Sequence, residues 1–181
     1  QELNQKNIKI NLTNSIGLIF QIYSDDYCSS NFSGISAIKV DNKTLKIIDK
    51  FEDFTTPIKD NYFINITNKI PIKTNNNSKI KDNLNSQSAI DIINKFAEFC
   101  NTADILISYD TNLQLQYLSD FFDIKINKPT FDIRQICLHI YNQNENQTLD
   151  KPLYQLAADE WQLNISDFEN DVDFLFELQK K

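Results

Sequence analysis

The alternation of apolar and polar positions predicts three strands in the first third of the chain. Residues 16–23 form a short and mostly apolar run, which is typical of a buried central strand. Residues 32–40 alternate well enough for a second strand. After the polar turn at 41–43, we expect a third strand from about Thr44 to Phe54. Three strands in close succession indicate an antiparallel meander.

Helical spacing dominates the rest of the chain. After an irregular, Asn-rich stretch at 57–86, apolar residues predict a helix over 88–100, which a capping box at Ser88 would start. A short apolar strand follows at 103–109. The segment after Pro129 fits either a helix alone or a strand followed by a helix. We expect the later helices to begin at Asp110, at Asp132, at Asp150 with Pro152, and at a capping box over Ser166–Glu169.

Composition and element order together predict one α/β domain. The chain has 181 residues, of which 41% are apolar and 12% aromatic, and this is enough to fill a single core. Strands that precede the first helix predict antiparallel pairing, and the later strand–helix alternation predicts parallel pairing. We therefore expect a mixed β-sheet flanked by helices over 16–181, preceded by an N-terminal extension at 1–15.

Charge and cysteine content narrow the function classes. The net charge of −7 disfavours a purely electrostatic nucleic-acid binder. It disfavours a nuclease less, because bound cations can neutralise the substrate. The cysteines Cys28, Cys100 and Cys137 show no CxxC spacing, and the last two lie in apolar contexts. They indicate a reducing compartment, so we expect a cytoplasmic protein without a zinc site. No apolar run approaches the ~20 residues that span a bilayer, and no signal peptide is visible.

Several segments carry a family resemblance in the same order along the chain. They read LIFQIYSD, GISAIKVDNKTLKIIDKFEDFTTP, ILISYDTNLQLQYL, PTFDIRQICLHIY and PLYQLAADEWQLNISDFENDVDFLFEL. Over residues 16–178 the chain resembles the DEDD-type 3′→5′ exonucleases, with a site similar to their DEDDh branch and a ribonuclease H-like fold. The resemblance implies four acidic side chains that hold two divalent cations, with a His or Tyr as general base.

The resemblance places most of the family's site residues on side chains without their chemistry. The Asp-x-Glu pair of the first strand falls on Gln21 and Tyr23, and the third acid falls on Gln114. The base falls on Phe168 and the last acid on Asp173. A neutral amide does not supply the carboxylate charge that Mg²⁺ favours. Three of four metal ligands and the base are therefore missing from these positions.

Other assignments do not restore the set. Asp25 and Asp26 are adjacent, so they face opposite sides of a strand. Asp171 is an alternative last acid, with Ser166 in the position of the base. His139, the only histidine, lies on a different predicted helix, and no Tyr follows Tyr154. We interpret Gln21 as a polar remnant that hydrogen-bonds Gln114 or a water.

The sequence therefore predicts a catalytically inactive exonuclease-fold protein that acts as a binding, structural or regulatory subunit. We expect no catalytic residue, no metal and no cofactor, an unidentified protein partner, weak nucleic-acid binding at most, and no membrane.

One alternative is an active exonuclease that binds Mg²⁺ or Mn²⁺ at a rearranged site. Another is a single-strand binder that uses tyrosines as a platform on which bases stack, together with the basic stretch 73–83. The acids open to the first alternative are Asp25, Asp26, Asp110, Asp132, Asp171 and Asp173, and the tyrosines are Tyr23, Tyr109 and Tyr117. Packing in the core is the plainer interpretation of these tyrosines.

Overall fold

A computed structural model describes residues 14–24, 27, 31–55, 88–143, 153–168 and 171–180. Its strands are β1 (Ile16–Ser24), β2 (Phe32–Asp41), β3 (Lys46–Phe54), β4 (Ile105–Ser108) and β5 (Thr130–Asp132). Its helices are α1 (Ala89–Cys100), α2 (Thr111–Phe122), α3 (Ile133–Gln143), α4 (Leu153–Glu160) and α5 (Asp171–Gln179), with a 3₁₀ turn at Ile165–Asp167. The predicted elements are confirmed in order, and the open choice after Pro129 resolves to a strand followed by a helix.

The strands form one mixed sheet in the order β3-β2-β1-β4-β5. β1 pairs antiparallel with β2, and β2 pairs antiparallel with β3. β4 pairs parallel with β1, and β5 pairs parallel with β4. The predicted meander and the predicted parallel half are both present, so the α/β class with a mixed, helix-flanked sheet is confirmed. β1 lies at the centre because its apolar side chains can be covered on both faces.

Alternation along β1 sends its side chains to two separate hydrophobic cores. Leu18, Phe20 and Ile22 lie on one face, in a cluster with Phe96 of α1. Ile19 lies on the other face, in a cluster that includes residues of α3, α4 and α5. Successive strand residues point to opposite faces, and helices cover both faces of β1. The central strand is therefore almost fully buried.

One expected helix start differs from the structure, a second is confirmed with its capping bond, and a third is confirmed in position but lacks that bond. Ser88 caps α1 by accepting a hydrogen bond from the Asp91 N–H. Asp110 stands at the N-cap position of α2, but its side chain makes no capping bond because its backbone is left-handed, with φ 57°. The last helix begins at Asp171, since residues 165–167 form a 3₁₀ turn instead. The expected start at the Ser166–Glu169 capping box is therefore wrong.

Some predictions fall outside the described residues. They concern Asp25 with Asp26, Cys28, the whole irregular stretch at 57–86 with its basic part at 73–83, the helix start at Asp150 and Pro152, and Glu169. Within the described part of the chain, no helix is both long and apolar enough to cross a membrane.

Candidate functional site

The candidate site begins where β4 ends beside β1. The last paired residues of the two strands are Ile107 and Ile19, and β1 continues to Ser24. Beyond that point none of the described strands lies beside β1 on its β4 side. Buried backbone groups need a partner, so side chains must take over from the strand. Ser108 supplies the first of these bonds, because its hydroxyl donates to the carbonyl oxygen of Phe20 over 2.6 Å.

Gln114, in the first turn of α2, supplies the next bonds. Its Oε1 accepts a hydrogen bond from the backbone N–H of Ile22 at 2.8 Å. Its Nε2 donates to Ser108 Oγ at 2.7 Å and to the carbonyl oxygen of Tyr109 at 2.8 Å. The side-chain amide therefore extends the hydrogen-bond ladder of β4 along β1 after the β4 backbone has turned away into α2.

Gln21 completes the same network from β1. Its Oε1 accepts from Gln114 Nε2 at 3.3 Å, which confirms the hydrogen bond expected between the two glutamines. Its Nε2 donates to the carbonyl oxygen of Ile22 at 3.0 Å and to the hydroxyl of Tyr27 at 3.2 Å. The Tyr27 hydroxyl in turn donates to the same carbonyl of Ile22 at 2.8 Å. We call the four side chains Gln21, Tyr27, Ser108 and Gln114 the amide cluster.

Three of the four side chains in the amide cluster are buried, Tyr27 is half-buried, and the two glutamine amides are uncharged. Gln21 and Gln114 are each 1% exposed. Both N–H groups and the oxygen of each glutamine amide have acceptors or donors within reach. Because the amides bond the backbone and one another, the arrangement offers no free anionic oxygen of its own to a cation. Its chemical role is to supply hydrogen-bond partners to the backbone groups of β1 that lie beyond the end of β4.

Tyr23, the second position of the family's first-strand pair, belongs to an aromatic contact. It is buried and lies across β2 from Phe54, with Gly34 between them in the register. The rings of Tyr23 and Phe54 have centroids 5.5 Å apart. A Cβ at Gly34 would lie 2.0 Å from Cδ1 of Phe54, so only glycine admits this contact. Tyr23 therefore packs against a neighbouring strand.

The final two positions of the expected site lie in and near α5. Phe168 is half-buried in the connection before α5, and not on the helix as expected. Its ring packs on Phe174, with centroids 5.5 Å apart, inside the core formed by α3, α4 and α5. Asp173 is half-buried on α5 between the buried residues Val172 and Phe174. Phe168 is thus a packing residue in the place of a base.

Two further acids meet at the carboxyl ends of β4 and β5, and we call Asp110 and Asp132 the aspartate pair. Asp132 Oδ1 accepts from the N–H of Asp110 at 2.9 Å and from the N–H of Arg134 at 3.0 Å. The second bond caps α3, as expected for Asp132. Arg134 Nε lies 3.6 Å from Asp110 Oδ1, so the two side chains form an ion pair.

Three influences act on the pKa of Asp110, and they do not all act in the same direction. Partial burial raises the pKa of Asp110, the Arg134 guanidinium lowers it, and the nearby Asp132 raises it again. Among the residues that the structure describes, no group of three or more His, Cys, Asp or Glu side chains could hold a metal ion. Since Asp25 and Asp26 lie outside those residues, the absence of a metal stays a prediction.

Burial decides the interpretation of the tyrosines and cysteines. Tyr23 and Tyr117 are buried in the cores, and the half-buried Tyr109 packs on Tyr154, so core packing is confirmed over an exposed stacking platform. Burial also raises the pKa of Tyr109. Cys100 and Cys137 are free and buried, and burial raises the pKa of each thiol to about 12. They are small core residues, as expected. His139 lies exposed on α3.

Two members of the amide cluster were not singled out from the sequence. Ser108 is the polar end of an otherwise apolar strand, and this is a signal that its hydroxyl serves a backbone group. Tyr27 gives no comparable signal, because its hydroxyl reaches Ile22 only through the path of the chain after β1.

No model of a known protein family matches this sequence, and no curated protein matches it either. The resemblance to exonucleases therefore depends on the residues of this chain alone.

Proposed function

We propose that the protein is a catalytically silent member of the DEDD-type exonuclease superfamily, with a ribonuclease H-like fold, and that it acts by binding. The observation that carries this proposal is the amide cluster. At two of the four positions where the resemblance expects metal-binding carboxylates, Gln21 and Gln114 bond to each other and to the backbone of β1.

The physical argument concerns charge and hydrogen bonding together. Two hydrated divalent cations need several carboxylates to offset the cost of shedding water. Gln21 and Gln114 carry no charge, and each amide nitrogen points its N–H donors at oxygens of the chain. Binding metals here would break those bonds and leave buried backbone groups such as the Ile22 N–H without a partner.

The sheet supports the fold part of the proposal. Its antiparallel first half and parallel second half are what the resemblance leads us to expect. The partner in this proposal is a protein, or a complex that processes nucleic acid. A cytoplasmic location belongs to the same proposal and is supported by the free thiols of Cys100 and Cys137.

An active enzyme with a rearranged site remains the second candidate, and the aspartate pair is the observation in its favour. However, Asp132 Oδ1 already accepts two backbone N–H groups, and Arg134 lies beside Asp110. A guanidinium next to a carboxylate opposes a second cation there. The balance of these contacts favours a structural role for the pair at the start of α3.

The test is a combined cleavage and binding assay on the full chain. The protein is incubated with 3′-labelled single-stranded DNA and RNA in Mg²⁺ or Mn²⁺, and anisotropy is measured in the same samples over a salt series. We expect no shortening and weak binding at most. A pull-down from the native source then looks for the protein partner.

Variants make the result specific to this chain. Shortening that requires a divalent cation and is lost in Asp110→Asn or Asp173→Asn would contradict the proposal. Shortening that persists when each of the six candidate acids in turn is changed to Asn, and in the exposed control Asp120→Asn, comes from a contaminating nuclease. Salt-sensitive binding without cleavage would favour the single-strand binder.

A further inference from the structure

β3 lies at one edge of the described sheet, and most of its side chains are exposed to solvent. Only β2 pairs with it among the described strands, and its first five residues, Lys46–Lys50, are all exposed. Ile48 is 54% exposed, and Ile47 and Leu45 are also exposed large apolar residues. An edge strand with exposed apolar side chains is a template for another strand, so it needs a partner or a guard.

The backbone of β3 shows which residues face outward. The N–H of Thr55 donates to the carbonyl oxygen of Ser33 in β2, so the odd-numbered residues in this part of the strand point their N–H and C=O groups toward β2. Strand backbones alternate with a period of two, so Lys50, Glu52 and Phe54 point their N–H and C=O groups away from the sheet. The Lys50 N–H agrees with this, because it donates to the side chain of Asp49 at 2.9 Å.

We propose that β3 pairs antiparallel with β3 of a second copy of this chain, with the two Phe51 residues opposite each other at a two-fold axis. In this register Lys50 lies opposite Glu52 of the second copy, and Ile48 lies opposite Phe54. The symmetry repeats each pair. The two opposite-charge pairs therefore form on one face of a continuous sheet, and directly opposite residues of this kind stabilise strand pairing. The register of β3 with β2 shifts at Ile48, so the apolar pairs lie at a β-bulge.

Neighbouring registers are less complementary. Centring the axis on Lys50 would set the two Lys50 side chains against each other. Centring it on Asp49 would set the two Asp49 carboxylates together and Ile48 against Lys50. The Phe51 register has one unfavourable element, which is Asp49 opposite Asp53 of the second copy.

A lysine of the same chain partly offsets that unfavourable element. Asp53 forms an ion pair with Lys95 of α1, with Nζ and Oδ2 3.8 Å apart. One carboxylate of each Asp49–Asp53 pair is therefore near a cation of its own subunit before the second copy arrives.

Sedimentation equilibrium on the full chain, at low salt and over a wide concentration range, tests the pairing. We expect a reversible monomer–dimer equilibrium. Lys50→Glu or Glu52→Lys alone turns both attractive pairs into repulsive ones and should weaken association by about tenfold or more. The exchange Lys50→Glu with Glu52→Lys should restore it. Lys125→Glu, an exposed change of the same charge before β5, should leave it unchanged.

Asp49→Asn provides an independent test, because it should strengthen the association that Lys50→Glu weakens. It removes the like-charge repulsion with Asp53 of the second copy, so it should tighten the dimer. Circular dichroism establishes that each variant is folded. A chain that stays monomeric at every concentration contradicts the proposal. So does a dimer that Lys50→Glu leaves intact, or one that the double exchange does not restore. None of these outcomes depends on whether the protein is a silent nuclease.

Discussion

Two polar groupings lie at the carboxyl ends of neighbouring strands, and they are built on opposite principles. The amide cluster, around Gln21 and Gln114, is buried and centred on two uncharged amides that bond mainly to the backbone of β1. The aspartate pair, Asp110 and Asp132, is charged, partly open to solvent, and bonded to backbone N–H groups and to Arg134.

The difference between the two groupings shows which surroundings in this fold stabilise a charged carboxylate. A carboxylate is held at the ends of β4 and β5 because backbone N–H groups and a guanidinium face it there. At the end of β1, the chain presents both donors and acceptors from its backbone, and an amide matches both kinds at once. The centre of the sheet is therefore suited to amides, and its margin to carboxylates.

Removing Gln114 should break the amide cluster and produce the largest effect. Gln114→Ala leaves the Ile22 N–H and the Tyr109 carbonyl without their side-chain partner, so we expect a loss of about 3 kcal/mol in the free energy of unfolding. Urea denaturation measures it. Gln116→Ala, exposed on the same helix, should change it by less than about 0.5 kcal/mol. Equal effects of the two variants would contradict the structural role of the cluster.

Placing a carboxylate in the amide cluster should show that this cluster, unlike the aspartate pair, does not stabilise a charge. Gln114→Glu buries a carboxyl group beside the Tyr109 carbonyl oxygen, so its folded-state pKa should rise above the ordinary value of about 4.3. The variant should then be near wild type in acid and lose about 2 kcal/mol as pH rises through that raised pKa. Denaturation across pH 4–8 measures this loss. A flat difference from wild type, like that expected for Gln116→Glu, would argue against burial of the charge.

Removing Asp132 should break the aspartate pair at smaller cost. Asp132→Ala deletes the cap of α3 and the acceptor of the Asp110 N–H, so we expect a loss of about 1–2 kcal/mol by urea denaturation. Asp132→Asn keeps an acceptor oxygen and should recover most of the stability. If both substitutions were equally damaging, the carboxylate charge would matter more than the hydrogen bonds.

Neutralising Asp110 should have the smallest effect, and with the opposite sign. Partial burial raises the pKa of Asp110, so its ionised form opposes folding, and Asp110→Asn should stabilise the protein by less than about 1 kcal/mol near pH 7. The gain should vanish as pH falls below about 3.9, where the wild-type carboxyl is protonated in both states. Asp123→Asn, at another left-handed residue, controls for backbone conformation. A gain that persists in acid would contradict the electrostatic cause.

The sequence predicted the parts of the fold that depend on local pattern. Apolar runs and alternation located β1 and β2 to within a residue, and helical spacing with Ser88 located α1. β5 was left as one of two options because its three residues are too few to show a period. The start of α5 was misplaced because a Ser-x-x-Glu pattern does not separate an α-helix from a 3₁₀ turn.

The candidate site was predicted only in part, because some of its contacts depend on tertiary structure and not on local sequence pattern. The contact of Gln21 with Gln114 was expected from the resemblance, and it is present. The full role of Gln114 was not foreseen, because it depends on β4 ending before β1 does, which is a property of tertiary pairing. Asp110 was expected to cap α2, but its left-handed backbone turns its side chain away from that bond, and no pattern announces such a conformation.

The most direct test of the account is an anomalous diffraction map from crystals soaked in Mn²⁺ at neutral pH. We expect no manganese between Gln21 and Gln114, and the bond from Gln114 Nε2 to Gln21 Oε1 should remain intact. Two bridged manganese ions at that position, with the amides turned to coordinate them, would contradict the account of a silent nuclease.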